Sequence, residues 1–322
     1  MSRILSGVHE AIGNTPIVNL SRITAKHGVE GKIFAKLEYL SPGFSKKDRI
    51  AKQIIEEAEK NGALKPGQPV VELTSGNTGT GLAIVCSVKG YKFYACMSRG
   101  NSVERARMMK ALGAEVILVD QMPHSVKGQV SGEDLALVEK KAQELTKELG
   151  AFRADQFNLI SNTHAHEFYT AEEIWAQCQG NIDAFADFIG TGGSFEGCAK
   201  TLKKYNKNIR CYIVEPEAAA IYSKKPIEAG NHKIQGGGYA LELPLVSGEL
   251  IDGTITVSDK AAIEITRELA KYEGVFCGFS SGANVYAALK LLKEQEKGKN
   301  IVVLLNDSGL KYLSTDLYDI SL

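Results

Sequence analysis

The chain alternates short apolar runs with long amphipathic stretches, and this pattern restricts its fold more than any other feature. We interpret seven runs as buried strands: KIFAKLE, PVVELT, KFYACM, EVILVD, DAFADFIGTG, RCYIVEP and NIVVLLND. Helical periodicity lies between these runs, at 48–60, 103–112, 134–149, 196–205, 260–272 and 283–295. Strands that alternate with helices form parallel sheets with helices on both faces. The sequence therefore predicts an α/β protein.

Length and charge restrict the kind of partner. A chain of 322 residues is too long for one ordinary core and fits either two lobes or one large α/β domain. Its 38 basic and 38 acidic side chains cancel, so we expect no nucleic acid and no membrane, but a small-molecule partner. No run approaches the ~18 apolar residues of a membrane helix, and the amino terminus lacks an apolar signal region. We therefore expect a cytoplasmic protein.

Cysteines and histidines give little indication of a metal. The six cysteines are scattered and form no C-x-x-C pair, which favours reduced thiols. His164 and His166 are close in sequence, but no acid or cysteine lies at ligand spacing. We interpret both histidines as solvated or helix-capping residues and expect no metal site.

Two adjacent lysines mark the predicted start of a helix. Lys46 and Lys47 follow the turn-prone LSPG, and Ser45 and Asp48 fit a capping box. The first turn of a helix carries partial positive charge, which disfavours an ammonium group there. An uncharged lysine is the nucleophile that forms an imine with a carbonyl compound. The position therefore suits a catalytic lysine, although the spacing does not say which of the two it is.

Three small-residue turns each open a predicted helix: TSGNTG at 74–79, GTGGS at 190–194 and GFSSGANV at 278–285. Exposed backbone N–H groups at such turns bind carboxylate or phosphate, although a turn alone is also a plain helix cap. The Walker pattern is absent, and Phe195 replaces the last glycine of the dinucleotide fingerprint. Glu215 still leaves a nicotinamide enzyme as an alternative.

Five segments, in order, resemble the signatures of the cysteine synthase family: SPGFSKKDRI, TSGNTGTGLA, GTGGSFEG, HKIQGGG and GFSSGANV. These are fold type II pyridoxal 5'-phosphate (PLP) enzymes, related to cystathionine β-synthase and the tryptophan synthase β subunit. The resemblance implies one catalytic unit over 1–322, in which each lobe is a mostly parallel twisted sheet flanked by helices. The smaller lobe would span 37–150 and the larger 12–36 plus 151–322. It also implies PLP as cofactor and a homodimer.

The same resemblance assigns roles to individual residues. Lys47 would carry the cofactor, whereas Lys46 stands where the family usually has a small apolar residue. Asn77 would contact the ring hydroxyl of PLP, and Ser280 would face its pyridine nitrogen. The phosphate loop falls on Gly190, Thr191, Gly192, Gly193 and Ser194. The substrate-binding residues would be Thr74, Ser75, Gly76, Thr78, Gln156, Gly236 and Tyr239.

The resemblance also implies the chemistry. A neutral serine at the ring nitrogen makes PLP a shallower electron sink, which favours loss of a substituent at Cβ through an aminoacrylate. Lys47 would remove the Cα proton and later return it. Our first interpretation is synthesis of L-cysteine from O-acetyl-L-serine and sulfide. The second has L-cysteine as donor, with hydrogen sulfide released and water or a thiol added to give serine or lanthionine.

The sequence leaves two other functions open, and it departs from the family pattern near the Cβ pocket. Another β-substituted alanine synthase is possible, as is a catalytically silent binding protein, although intact Lys47, Asn77 and Ser280 argue against the latter. Tyr239 and Ala240 replace a small alanine and a glycine near the family's Cβ pocket. The stretch 121–134, rich in Pro, Gly and Ser, predicts a lid or a surface loop.

Overall fold

Two sheets form the centre of the molecule in the computed structural model, which describes residues 4–126, 128–224 and 231–319. The larger sheet has the strand order β1-β2-β10-β7-β8-β9 and the smaller has β5-β4-β3-β6. The strands are β1 Ile17–Asn19, β2 Lys32–Lys36, β3 Val70–Leu73, β4 Phe93–Ser98, β5 Glu115–Val119, β6 Phe152–Arg153, β7 Ala184–Phe188, β8 Arg210–Pro216, β9 Gly253–Val257 and β10 Asn300–Leu304. Only β1 is antiparallel to its neighbour among these strands.

Helices connect the strands in the alternating order that parallel pairing requires. They are α1 Ser21–Lys26, α2 Lys47–Asn61, α3 Asn77–Lys89, α4 Val103–Ala111, α5 Gly132–Leu149, α6 Ser161–Ala165, α7 Ala171–Gln177, α8 Gly193–Tyr205, α9 Asp259–Glu268 and α10 Phe279–Lys293. A π-helical turn, His166–Thr170, joins α6 to α7, and another, Leu269–Glu273, follows α9. Short 3-10 helices occupy Val8–Ala11, Glu38–Leu40, Glu217–Ala219, Gly309–Tyr312 and Asp316–Tyr318.

Successive side chains of the central strands enter different apolar clusters. In β7, Ala186 packs with residues of α9 and α10, whereas Phe185 packs with residues of α8. In β3, Val70 packs with residues of α2 and α3, whereas Val71 packs with residues of α5. Helices therefore cover both faces of each sheet, and the predicted α/β class is confirmed. The lobe boundaries at 37–150 and 151–322 stay a prediction.

The start of α2 differs from the sequence prediction. The helix begins at Lys47, and Ser45 Oγ accepts the Lys47 N–H at 3.2 Å. The Asp48 carboxylate accepts the N–H of Gly43 at 2.5 Å. The predicted Ser45–Asp48 capping box is therefore wrong, because Asp48 closes the preceding turn instead of reaching back to Ser45.

The stretch 121–134 is shorter as a loop than predicted, because α5 already begins at Gly132. A capping box joins Ser131 and Asp134 at this start. The Asp134 carboxylate also accepts from the N–H of Met122 at 2.8 Å and from Ser125 Oγ at 2.8 Å. The acid therefore ties the loop to the helix; Lys127 lies outside the described residues.

His164, His166 and the six cysteines are all buried or half-buried. His166 is fully buried, and its Nδ1 lies 2.9 Å from Thr170 Oγ1, so a solvated role is wrong for this residue. His164 is half-buried and pairs with Glu57 at 2.9 Å. The six cysteines are free thiols, as predicted; Cys178 is half-buried, and buried ones are Cys86, Cys96, Cys198, Cys211 and Cys277.

Residues 4–126, 128–224 and 231–319 contain neither a membrane-spanning helix nor a metal-binding cluster. None of the helices there has the length and hydropathy that a membrane span needs. The same residues bring no three His, Cys, Asp or Glu side chains together in a metal-binding group.

Candidate active site

Lys47 lies at the first position of α2, with its amine directed at the Gly190–Ser194 turn. Its Nζ is 3.5 Å from Thr191 Oγ1. Burial, followed by the positive charge of Lys46, lowers the pKa of Lys47 to about 7. A substantial part of this lysine is therefore a neutral amine at neutral pH, as a nucleophile or proton acceptor requires.

Lys46 has a different environment from its neighbour. Its Nζ lies 2.9 and 2.8 Å from the two carboxylate oxygens of Asp187, at the end of β7. The same amine donates to Ser194 Oγ at 2.9 Å. Lys46 is thus held in a buried ion pair, and the two adjacent lysines have different contacts.

The Gly190–Ser194 turn joins β7 to α8 and presents its backbone to Lys47. Gly192 has φ +87°, a conformation that favours glycine, and a Cβ at Gly193 would overlap the Asn162 side chain. Asn162 Nδ2 donates to Thr191 Oγ1 at 2.7 Å. Backbone N–H groups at the start of α8 are therefore accessible at close range, in the arrangement that binds a phosphate.

The Thr74–Thr78 turn joins β3 to α3. Thr74 Oγ1 accepts the N–H groups of Gly76 and Gly79, both at 2.9 Å, so this hydroxyl shapes the turn. Thr78 Oγ1 donates to Gln156 Oε1 at 2.6 Å. The structure therefore brings together two residues predicted to hold the substrate carboxylate, although 78 positions separate them in sequence.

Asn77 is held from both sides of its amide. Its Nδ2 donates to Asp307 Oδ2 at 2.7 Å, and its Oδ1 accepts from Lys311 Nζ at 2.7 Å. Burial lowers the pKa of Lys311 from its usual value. The amide is therefore fixed in orientation by the chain that follows β10.

Tyr239 contacts the Thr74–Thr78 turn, and Gly236 lies against the Gly190–Ser194 turn. The Tyr239 hydroxyl is 2.7 Å from Ser75 Oγ, and a Cβ at Gly190 would lie 2.9 Å from the carbonyl oxygen of Gly236. Ala240 has φ +54°, a left-handed conformation that a glycine would adopt without strain. The Tyr239 ring is therefore directed at the Thr74–Thr78 turn.

Ser280 lies in the first turn of α10. Its Oγ accepts from Asn306 Nδ2 at 3.1 Å, and the described residues show no acceptor for its hydroxyl proton. That proton is therefore left to donate to a ligand such as a pyridine nitrogen.

Three features fit a phosphorylated aldehyde as ligand. Lys47 is a buried amine with a pKa of about 7, and the Gly190–Ser194 turn has no room for side chains at its glycines. The hydroxyl proton of Ser280 is available for a hydrogen bond to the ligand. The sequence profile of the family described as "Pyridoxal-phosphate dependent enzyme" matches residues 8–307. The chain belongs to this family. Its cofactor is PLP, and the predicted family resemblance is confirmed.

Several PLP-dependent enzymes are similar to this one over almost their whole length. A cysteine synthase from Staphylococcus aureus is 42% identical over 315 residues, which cover 98% of this chain and 97% of that protein. O-acetylserine sulfhydrylase isoform 3 from Entamoeba histolytica superposes with a TM-score of 0.90 at 38% identity, covering 100% and 93% of the two chains. A hydrogen sulfide-producing enzyme from Fusobacterium nucleatum superposes with a TM-score of 0.88 at 41% identity, covering 96% of this chain and 100% of that chain.

Sequence reasoning missed several residues of this PLP-dependent enzyme's site. Asp187, Asn162 and Asn306 contact the predicted site residues Ser194, Thr191 and Ser280, respectively. No local motif marks them. Asp307 and Lys311 hold Asn77. For Lys311 a signal existed, because the resemblance to the family extends as far as the sequence KYLST at 311–315, which this lysine opens.

Proposed function

We propose that this PLP-dependent enzyme makes L-cysteine from O-acetyl-L-serine and sulfide by replacement at Cβ. The observation that carries the proposal is the buried Lys47, whose pKa falls to about 7 beside the phosphate-binding turn. The 42% identity to a cysteine synthase over nearly the whole chain gives the same reaction. Bound PLP supplies an electron sink for the charge that develops at the substrate's Cα.

Lys47 carries the cofactor and moves the Cα proton. A lysine with a pKa of about 7 is close to the operating pH, so its neutral form accepts a proton and its charged form returns it. Thr191 Oγ1, 3.5 Å from Nζ, positions the amine at the phosphate turn. Asn77, whose amide is fixed, would orient the ring of PLP, and the backbone of 190–194 would hold its phosphate.

Ser280 directs the chemistry to Cβ. A hydroxyl donates a hydrogen bond to the ring nitrogen but does not transfer a proton to it, unlike a carboxylic acid. Charge at Cα is therefore less stabilised and passes on to a leaving group at Cβ. The Asn306 amide, 3.1 Å from Ser280 Oγ, occupies one lone pair and directs the proton away from itself.

The Thr74–Thr78 turn binds the substrate carboxylate. It lies at the start of α3, where backbone N–H groups and the helix dipole favour an anion. Ser75 Oγ and the free N–H of the Gln156 amide supply further donors, since Gln156 Nε2 uses one N–H on Leu73 O at 2.8 Å. Gly76, with φ +120°, permits the tight turn.

A second candidate reaction is release of hydrogen sulfide from L-cysteine. The Fusobacterium enzyme, at 41% identity, is described as producing hydrogen sulfide. Tyr239 supports this candidate, because its hydroxyl contacts Ser75 and adds a polar group to the substrate side of the site. Such a hydroxyl positions water or a thiol for addition.

The deciding experiment compares both directions with the purified, PLP-loaded protein. In one reaction O-acetyl-L-serine and sulfide are supplied and L-cysteine is measured; in the other L-cysteine alone is supplied and sulfide is measured. We expect the first rate to exceed the second. Faster sulfide release would favour the second candidate, and neither activity would contradict both. Lys47→Ala is the control, and it should lose the visible absorption of bound PLP as well as turnover.

The assembly and location are further proposals. We propose a cytoplasmic homodimer, supported by the family resemblance and by large apolar side chains that are exposed in the single chain, such as Leu40, Ile160 and Phe168. Light scattering should give twice the 34.8 kDa of the chain. A mass equal to one chain at micromolar concentration would contradict the dimer.

A further inference from the structure

Lys46 and Asp187 form a buried ion pair directly behind the phosphate-binding turn. The Lys46 and Asp187 side chains are 7% and 0% exposed. Ser194 contacts both charges: its Oγ accepts from Lys46 Nζ at 2.9 Å and donates to Asp187 Oδ2. Asn284 Nδ2 adds a contact to Asp187 Oδ1 at 3.2 Å. The pair therefore determines how the Ser194 hydroxyl is oriented.

Stability alone is a weak reason for such a pair. Removing two charges from water costs several kcal/mol for each ion, and apolar side chains of the same size are often no less stabilising. Three elements nevertheless converge on the pair, since Lys46 immediately precedes α2, Asp187 belongs to β7 and Ser194 to α8. Two of these elements flank the turn that binds the phosphate. A role in binding is therefore the better explanation.

Charge balance indicates what that role is. The phosphate of PLP carries nearly two negative charges at neutral pH. The Asp187 carboxylate, one hydrogen bond away from the turn through Ser194, would repel this dianion if it were alone. Lys46 cancels the carboxylate charge at 2.8 Å. The same cation is the second cause, after burial, of the lowered pKa of Lys47.

We propose that Lys46 is a positioning residue for the phosphate group of PLP, which it serves by neutralising the Asp187 carboxylate that holds Ser194. The inference rests on the proposed function, because it requires PLP to be held at the Gly190–Ser194 turn. It gives a function to the second lysine of the pair, which stands where the family usually has a small apolar residue. It also predicts effects of opposite sign for the two partners.

The test measures the preference of the protein for PLP over pyridoxal, which has the same aldehyde and ring but no phosphate. The full-length chain is freed of cofactor, and the dissociation constants of both compounds are obtained from the visible absorption of the bound form. The ratio of the two constants isolates the phosphate contribution. Lys46→Met keeps the side-chain length and removes the charge. We expect it to reduce the preference for PLP at least about tenfold, or ~1.4 kcal/mol.

Asp187→Asn is the matched variant, because its amide oxygen still accepts from Ser194. We expect its preference for PLP to rise at least about threefold, since the repelling charge is gone and the cation remains. In Lys46→Met/Asp187→Asn, which has no charge at either position, the preference should return to within about twofold of the parent. An equal loss in both single variants would show a purely structural pair and overturn the inference.

Folding and the proposed reaction are monitored separately. If Lys46→Met does not fold by circular dichroism, Asp187→Asn decides, and an unchanged or lower preference for PLP there overturns the inference. If the parent protein prefers PLP but makes no cysteine, the proposed function is wrong. The inference about Lys46 is then still tested by the ratios of the dissociation constants for PLP and pyridoxal. If cysteine is made and Lys46→Met keeps the parent ratio within about twofold, only the inference fails.

Discussion

Lys47 owes its reactivity to its position in the protein. Burial and the neighbouring Lys46 charge lower its pKa from 10.5 to about 7, so the neutral amine predominates above pH ~7. We expect the rate at which cofactor-free protein attaches pyridoxal to rise about tenfold per pH unit below this value and to level off above it. Stopped-flow absorbance measures the rate. Nα-acetyl-lysine is the control, and a protein profile that follows it up to pH ~10 would contradict the lowered pKa.

Tyr239 is the residue whose substitution should change the direction of sulfide flow. Its hydroxyl lies 2.7 Å from Ser75 Oγ, in the turn proposed to bind the substrate carboxylate. Tyr239→Ala removes both the ring beside the Thr74–Thr78 turn and the hydroxyl that we propose positions water or a thiol. We expect the ratio of cysteine synthesis to sulfide release to rise about tenfold, or ~1.4 kcal/mol between competing transition states.

Both rates are measured at the same sulfide and cysteine concentrations. Tyr239→Phe separates the hydroxyl from the ring, and Tyr169→Phe, at an exposed position, is the control. A ratio within about twofold of the parent in Tyr239→Ala would assign this tyrosine to the scaffold.

At the scale of elements, the segment after β10 fastens the Thr74–Thr78 turn. Tyr312 donates to Asp307 Oδ2 at 2.7 Å and accepts from Arg105, which in turn donates to Ser75 O at 2.8 Å. Tyr312→Phe would leave two buried charged groups short of a partner. We expect it to lower the free energy of unfolding by about 1–3 kcal/mol. Urea denaturation measures this, and a change no larger than that of Tyr169→Phe would contradict it.

Strands buried on both faces were predictable from the sequence, whereas three of the four edge strands were not. The strands β3, β7 and β10 are almost fully buried, so their sequences are mostly apolar, with Glu72 in β3 and Asp187 in β7 as buried charged exceptions. The strands β1, β6 and β9 are short or half-exposed and lack that signal. The proximity of Lys47 to Thr191 and of Thr78 to Gln156 was predictable from the family's motifs. The contact of Asp187 with Lys46 was not, because it spans 141 positions and depends on how β7 packs behind α2.

At the scale of the whole molecule, the six thiols are all protected. Burial raises the pKa of every one: Cys86, Cys96, Cys178, Cys198, Cys211 and Cys277. Since the thiolate is the reactive form, the native protein should react with at most the half-buried Cys178 when titrated with a disulfide reagent at neutral pH. All six should react after denaturation. Rapid reaction of three or more thiols in the native state would contradict this.

Protected thiols have a consequence for a catalyst that handles sulfide. Polysulfides, which are oxidised forms of sulfide, transfer a sulfur atom to accessible protein thiolates to give persulfides, and peroxides convert the same thiolates to sulfenic acids. Five of the thiols here are buried, and the pKa of the half-buried Cys178 is raised, so the chain presents little thiolate to such oxidants. The protein should therefore keep its cysteines unmodified where sulfide and the polysulfides formed from it by oxidation are abundant.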